Sequence, residues 1–288
     1  MESSINKTIC IAGGNGFVGQ ALSKFLQQSG FTVVILPRAL YQHNAQALAE
    51  RMNGCFAVIN LAGASIGKRW TRSYRAEILN SRLVSTNNIC KAMSLCNQPP
   101  VRFISTSAVG IYDTIHQHSE DSIFFANDFL SDVCKRWELA ADAAPDSVQK
   151  SIVRLGVVLG KEGGTLKKLL PLFRAGLGGR MGSGKQAFSF IHIHDICKAI
   201  LHILSQQNSK EIYNLVAPQI ISNKEFTRAL AHALHRPAWL FVPAFILKFM
   251  LGKSADVILK GQQVIPANLL KEGFVFDFPD IHQKNFFE

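Results

Sequence analysis

The chain has 288 residues, 48% of them hydrophobic and 18% charged, with a formal net charge of +11. That length and apolar fraction exclude a disordered chain and allow a full core, built as one large domain or two unequal ones. No apolar run reaches the roughly 20 residues of a membrane helix. The positive excess comes without an arginine-rich tail, a helix-turn-helix pattern or an aromatic RNA-binding strand, so neither membrane nor nucleic acid is an expected partner.

In chain order, the opening MESSINK has no leader-like apolar stretch and runs straight into a strand, which sets the expectation of a cytoplasmic protein. Residues 8–12, 31–36, 57–61, 101–105 and 151–155 are short, mostly β-branched runs that read as buried parallel strands. Residues 16–29, 45–52, 74–95 and 128–143 read as the helices between them. This alternation predicts an α/β, Rossmann-type doubly wound parallel sheet over residues 1–160, open to completion by later strands. Beyond it a Gly-rich segment at 176–184 precedes a strand at 188–193, a helix from Asp195, and a strand at 212–216. Two more helices, at 222–234 and 243–251, follow, the first opened by a Ser222/Glu225 capping box. Residues 161–288 are expected to form a smaller C-terminal substrate lobe. The apolar run 238–251 reads as its buried packing, and Asp195 as the cap of its helix.

The densest motif lies at the first strand–helix junction. Gly13, Gly14, Asn15, Gly16, Phe17, Val18 and Gly19 satisfy both GxxGxxG and GxGxxG. Glycine lets the backbone turn sharply and lets a pyrophosphate approach, while the following helix offers free N–H groups and the positive end of its dipole. The second strand ends in Leu36-Pro37-Arg38 with no acid nearby. An acid there would accept from a ribose 2′-hydroxyl; Arg38 instead suits a 2′-phosphate, so the expected cofactor is NADP(H). None of the six cysteines forms a CxxC pair and no His/Cys cluster has zinc spacing, so no metal is expected and the thiols read as reduced and structural.

Further segments resemble the short-chain dehydrogenases. Asn60-Leu61-Ala62-Gly63 is similar to their NxAG element. Ser105-Thr106-Ser107, running on to Tyr112, resembles the SSSxxVYG segment of the extended, sugar-nucleotide epimerase branch, and residues 190–195 resemble its FIHVxD element. The string as a whole resembles an atypical subgroup, the YfcH-like or SulA-like NAD-dependent epimerase/dehydratase family. The resemblance implies a Rossmann domain with a small lobe, NADP(H) binding and an epimerase or oxidoreductase label, with Leu61, Ala62, Gly63 and Ser105 beside the cofactor. It also implies a Tyr-x-x-x-Lys pair as acid/base and ribose holder. Aligning the family's following Glu with Glu138 puts Leu130 and Cys134 at those positions, and neither can serve.

Ser107 is the remaining hydroxyl expected to hold substrate, with Tyr112 a replacement acid or a packing residue. Lys68, Arg69, Arg72, Arg75 and Arg82 form a basic stretch with Trp70 inside it, either a solvated face or a cationic wall for an anionic small molecule on which Trp70 could stack. On a strand, His192 and His194 face opposite sides, so one of them is free to meet substrate. The glycines of 178–185 are a second candidate phosphate loop. Two functions fit: an NADP(H)-dependent oxidoreductase or epimerase for a small hydroxyl or carbonyl substrate, and a catalytically weak NADP(H)-binding regulatory protein.

Overall fold

A computed structural model describes residues 7–287; residues 1–6, read above for a leader, lie outside them. Six parallel strands form the main sheet: Thr8–Ala12, Thr32–Leu36, Ala57–Asn60, Arg102–Ala108, Gln149–Leu155 and Ile212–Leu215. In space the second and first strands lie at one edge, and the third to sixth follow in sequence order. The first strand pairs the second on one side (Ala12 with Leu36) and the third on the other (Ala12 with Asn60). The winding direction therefore reverses at the first strand, and the crevice above its carboxyl end is where such sheets bind ligands.

Both faces of the sheet are covered, which is why these strands read as continuous apolar runs rather than alternating ones. On one face Ile9, Ile11, Ile104 and Val153 pack with the opening helix Phe17–Gln28 and the helix Ile193–Ser205. On the other, Cys10, Val58, Phe103 and Ile152 meet the helices Ala45–Met52, Arg72–Leu95 and Phe129–Ala141. Side-chain caps start all three of these: Asn44 accepts from Ala47 N, Thr71 from Tyr74 N and Asp128 from Ser131 N. The sequence beyond residue 160 thus supplies a helix and the sixth strand to the main body. The rest of it surrounds a separate cluster that includes Leu166, Phe173, Phe190, Phe226 and Phe286.

Several expectations change here. Four helices are additional, Arg38–His43, Gly164–Arg174, Asp256–Leu259 and Ala267–Lys271; the second carries Pro171 and starts at two glycines, signals that argue against helix locally. Its Leu166, Leu169, Leu170 and Phe173 are nonetheless buried at helical spacing. The strand Phe190–His192 stops at His192, and the next helix begins at Ile193, so His192 and His194 do not alternate on a strand. His192, not Asp195, caps that helix, its Nδ1 accepting from His194 N at 3.2 Å. Asp195 lies fully buried in the first turn and accepts from the backbone N–H groups of Asp277 and Phe278 at 2.9 and 3.0 Å. It ties the C-terminal segment to the sheet rather than starting a helix. The Ser222/Glu225 capping box is present in full.

The apolar run 238–251 is not buried packing. In the helix Ala244–Leu251 only Leu247 is buried, and Phe249 is 83% exposed. The glycines of 178–185 serve packing. A Cβ on Gly179 would stand 2.3 Å from the carbonyl oxygen of Leu240, its partner in the two-stranded ribbon of Gly179–Met181 and Leu240–Val242. One on Gly178 would strike the Phe173 ring. They let two backbones and a ring close together, which is a packing role for these two glycines.

Candidate functional site

Loops following the first four strands converge on the crevice. Gly13 has φ +78°, and a Cβ there would lie 2.7 Å from the Leu61 carbonyl, so the phosphate loop rests directly on Leu61 and Ala62. A Cβ on Gly19 would come 2.5 Å from Gly13 O, which fixes how closely the helix approaches the strand. Gly16 caps the helix with no side-chain acceptor and no acid stands in the first turn. The N–H groups of Phe17, Val18 and Gly19 are thus left for an anion. The Phe17 ring packs against Gly160, Gly163 and Gly164, so this residue serves the loop through its backbone. Arg38 lies exposed two residues beyond Leu36, the partner of Ala12. A tight glycine turn closed onto Leu61, a bare helix start and an exposed arginine after the neighbouring strand fit the pyrophosphate and adenosine phosphate of NADP(H).

The third strand's loop is held from beneath by Asn60 of the NxAG-like element and by two residues that the sequence did not single out, Thr86 and Trp137. Asn60 Oδ1 accepts from Ala62 N at 3.1 Å, and its Nδ2 donates to Thr86 Oγ1 at 2.9 Å. Trp137 Nε1 donates to the same hydroxyl at 3.0 Å. Thr86 and Trp137 sit mid-helix, with no motif around them to mark the contact.

Gly63 lies against the Arg82 guanidinium, and Arg82 Nη1 donates to the carbonyls of Ala64 (3.1 Å) and Ile78 (2.9 Å). The guanidinium lies 4.9 Å from the Trp137 ring centre. Burial holds the arginine below its usual pKa, while Cys134 and Tyr74 act in the opposite sense. Among the described residues no carboxylate forms an ion pair with it.

Ser107, buried and next to last in the fourth strand, heads a polar chain. Its Oγ donates to Glu138 Oε1 at 2.6 Å. Arg154, 3% exposed, grips that carboxylate with Nε (2.9 Å) and Nη2 (2.7 Å). Arg154 Nη1 donates to Tyr112 Oη at 2.7 Å, and Tyr112 donates to Asn214 Oδ1 at 3.0 Å. Tyr112 is fully buried and stacked on His118 with ring centres 4.6 Å apart. Burial raises its pKa although Arg154 opposes this. It is a packing tyrosine, not a replacement acid, because no substrate reaches it.

Ser105 is likewise sealed, with an unpartnered Oγ, so its hydroxyl does not line the crevice. Cys134 lies against Ser107. Burial first, then the Glu138 charge, pushes its thiol to about 11, leaving it neutral and unreactive. Leu130 sits 3.8 Å from the position of a Cβ on Gly110.

The basic stretch divides. Arg82 turns inward, as above. Arg72 and Arg75, with Trp70, Phe129, Arg136 and Lys253, line an open groove of about 490 Å³ that also holds Asp132. Trp70 is anchored by its Nε1 donating to Ile66 O at 3.0 Å and by an edge contact to Phe129. Arg75 lies 4.2 Å over the Phe129 ring centre. Arg69 lies against Gly252 rather than in the groove.

His192 is set between Phe278 (3.9 Å) and Phe286 (5.3 Å) and occupied in capping, so it is a structural residue and not the expected substrate contact. Burial first, then the charge of His194, lowers it from 6.5 to about 4. A folded-state pKa below the unfolded one means that the unfolded chain binds the extra proton between these values. His192 therefore contributes stability that is present above about pH 6.5 and is lost as pH falls toward 4. His192→Asn, which retains a capping acceptor, is expected to flatten the fall of the urea midpoint across this window. An unchanged slope would assign the loss to other groups.

This geometry defines a dinucleotide-binding α/β protein of the extended dehydrogenase architecture. The chain belongs to the NAD dependent epimerase/dehydratase family, whose model matches residues 9–215; a domain of unknown function (DUF1731) matches residues 242–283. It is 34% identical over 282 residues to the human epimerase family protein SDR39U1, covering 95% of this chain and 96% of that protein. It is also 34% identical to the chloroplastic homolog of SDR39U1 from Arabidopsis thaliana, with coverages of 94% and 83%. The crystal structure of human SDR39U1 (isoform 2) with NADPH is similar with a TM-score of 0.89, 34% identity and 96% of each chain covered. A nucleoside-diphosphate sugar epimerase from Corynebacterium glutamicum is similar with a TM-score of 0.76 and 28% identity, over 96% of this chain and 56% of that one.

Proposed function

We propose that this chain binds NADP(H) and acts as an oxidoreductase or epimerase-like enzyme on a small, anionic hydroxyl or carbonyl substrate. The observation that carries the reading is the Gly13 cradle, backed onto Leu61 and Ala62, with an uncapped helix start and Arg38 at its side. The amides of Phe17, Val18 and Gly19 hold the pyrophosphate, and Arg38 holds the 2′-phosphate. When bound, the cofactor supplies a hydride donor or acceptor.

Ser107 gives its proton to Glu138 and is 2% exposed, so the lone pairs of its oxygen receive a substrate hydroxyl once the side chains that cover it move aside. Both oxygens of Glu138 are already committed, to Arg154 and to the Ser107 hydroxyl. The proton on the substrate oxygen then exchanges with water in the open crevice, which slows turnover by about 10²–10⁴-fold relative to a positioned acid. Arg82 brings positive charge beside Cys134, where relatives with the acid/base pair carry lysine. The groove of Trp70, Arg72, Arg75 and Arg136 gives the anionic part of the substrate its counter-charge. All six cysteines are free, which accords with a reducing, cytoplasmic setting.

Calorimetry with NADPH and NADH tests the cofactor assignment. Arg38→Ala is expected to weaken NADPH binding by roughly 10–100-fold, the equivalent of about 1.5–3 kcal/mol for a charge-assisted contact, and to leave NADH unchanged. Equal loss of both, or loss of neither, would remove Arg38 from the site. A carbonyl panel followed by NADPH consumption tests turnover. A second reading, a regulatory NADP(H)-binding protein, is favoured by Leu130 and Cys134 standing where the acid/base pair belongs. Tight NADPH binding with no consumption across the panel would select it.

A further inference from the structure

An unpartnered apolar face surrounds the helix Ala244–Leu251 and the ribbon beside it. Trp239 is 82% exposed, Phe245 71% and Phe249 83%; Phe241 and Met250 are exposed with them. Phe245 and Phe249 stand one turn apart, as do Ile246 and Met250, so rings and aliphatic chains cover most of the helix circumference. Water-facing aromatics clustered in this way mark an interaction surface.

Charge identifies what it meets. The ribbon strands Gly179–Met181 and Leu240–Val242 and the helix Ala244–Leu251 carry Arg180 and Lys248 and no Asp or Glu. Arg180 is paired in register with Phe241 and lies 5.7 Å from its ring centre. Lys248 is exposed on the helix itself, and Lys253 lies two residues beyond its end. Aromatic and aliphatic side chains interleaved with cations, with no acid on the ribbon or helix and the neighbouring Asp256 paired with Lys260, match the headgroup–acyl boundary of an anionic bilayer. A second copy of the chain would bring the same unbalanced cations face to face, which opposes self-association.

We infer that the face centred on Trp239, Phe245 and Phe249 docks this protein onto the surface of an anionic lipid membrane. The association is peripheral: among the described residues no helix is long and apolar enough to cross a membrane. The inference does not rest on the proposed chemistry. Lys253 both follows the docking helix and lines the cationic groove, so docking would set that groove near the lipid surface.

Sedimentation of the full chain with vesicles tests this. Vesicles of phosphatidylcholine containing phosphatidylglycerol are expected to carry the protein down, and pure phosphatidylcholine at least about tenfold less. Binding should blue-shift tryptophan emission through Trp239, a shift lost in Trp239→Phe. Phe245→Ser/Phe249→Ser keeps every charge and is expected to reduce vesicle partitioning by tenfold or more. Both side chains are solvent-facing, so the thermal melt should not change. Lys248→Glu should weaken partitioning and lower its salt sensitivity, because less electrostatic attraction remains to be screened. Absence of binding to the anionic vesicles would overturn the proposal. So would unchanged binding of the double serine variant, which would assign the effect to bulk positive charge. A dimer in solution that the serine variant dissociates, without vesicle binding by the parent chain, would make the face a subunit interface and overturn it equally.

Discussion

Arg154→Ala is expected to destabilise the fold by about 3–5 kcal/mol, read as a lowered urea midpoint near neutral pH. The guanidinium is 3% exposed and makes three short hydrogen bonds, two to Glu138 and one to Tyr112. Its removal leaves a carboxylate whose side chain is 15% exposed with only the Ser107 hydroxyl to stabilise it. A buried charge stripped of its partner is the expensive case; replacement of the pair by apolar groups is not. Arg154→Met with Glu138→Leu should therefore recover much of the loss, although each change alone is damaging. Arg154→Lys should recover little, because a single ammonium cannot reproduce the two-pronged grip. A loss under about 1 kcal/mol for Arg154→Ala would mean that water replaces the guanidinium freely and that the chain from Ser107 to Asn214 is not a structural unit.

That chain also shows where sequence reading ends. Its members are spread from residue 107 to residue 214, and only the register of the fourth, fifth and sixth strands brings them together: Ser107 lies opposite Arg154, and Arg154 opposite Asn214. The glycine loop was legible because everything it needs is local: a strand, a turn without Cβ atoms and a helix start. The strand–helix alternation was legible for the same reason, since two-sided burial writes itself into continuous apolar runs.

The run 238–251 failed because composition cannot distinguish a helix covered by protein from one facing outward; both are apolar all round. His192 failed because histidine is an uncommon cap, and the aspartate three residues later carried the stronger local signal. That aspartate instead binds the two amides of residues 277 and 278, a contact across more than 80 positions that no spacing rule reaches. Tyr112 sits in the segment that resembles the family's SSSxxVYG element, but resemblance carries no burial. Only its stacking on His118 and its bonds to Arg154 and Asn214 show that it faces inward.

Gly13→Val is expected to reduce NADPH affinity by about 100-fold or more. Two effects combine at this position. A branched side chain at φ +78° destabilises the turn by about 1–2 kcal/mol or more. Its Cβ would also lie 2.7 Å from the Leu61 carbonyl, which is backbone held by Asn60 and cannot yield cheaply. The loop must then lift from the third strand's loop and carry its amides away from the pyrophosphate. Loss of two contacts to a charged group, each worth about 1.5–3 kcal/mol, corresponds to the stated drop in affinity.

Gly30 supplies the control. It has φ +84°, but a Cβ there meets nothing within 4 Å. Gly30→Ala should therefore lower stability by the backbone term alone, about 1 kcal/mol, and leave NADPH affinity untouched. Calorimetry and thermal melts of the two variants separate strain from site geometry. If Gly13→Val lost stability as Gly30→Ala does yet bound NADPH as well as the parent chain, the pyrophosphate would have to lie away from this loop. The crevice above the first strand would then lose its claim to the cofactor.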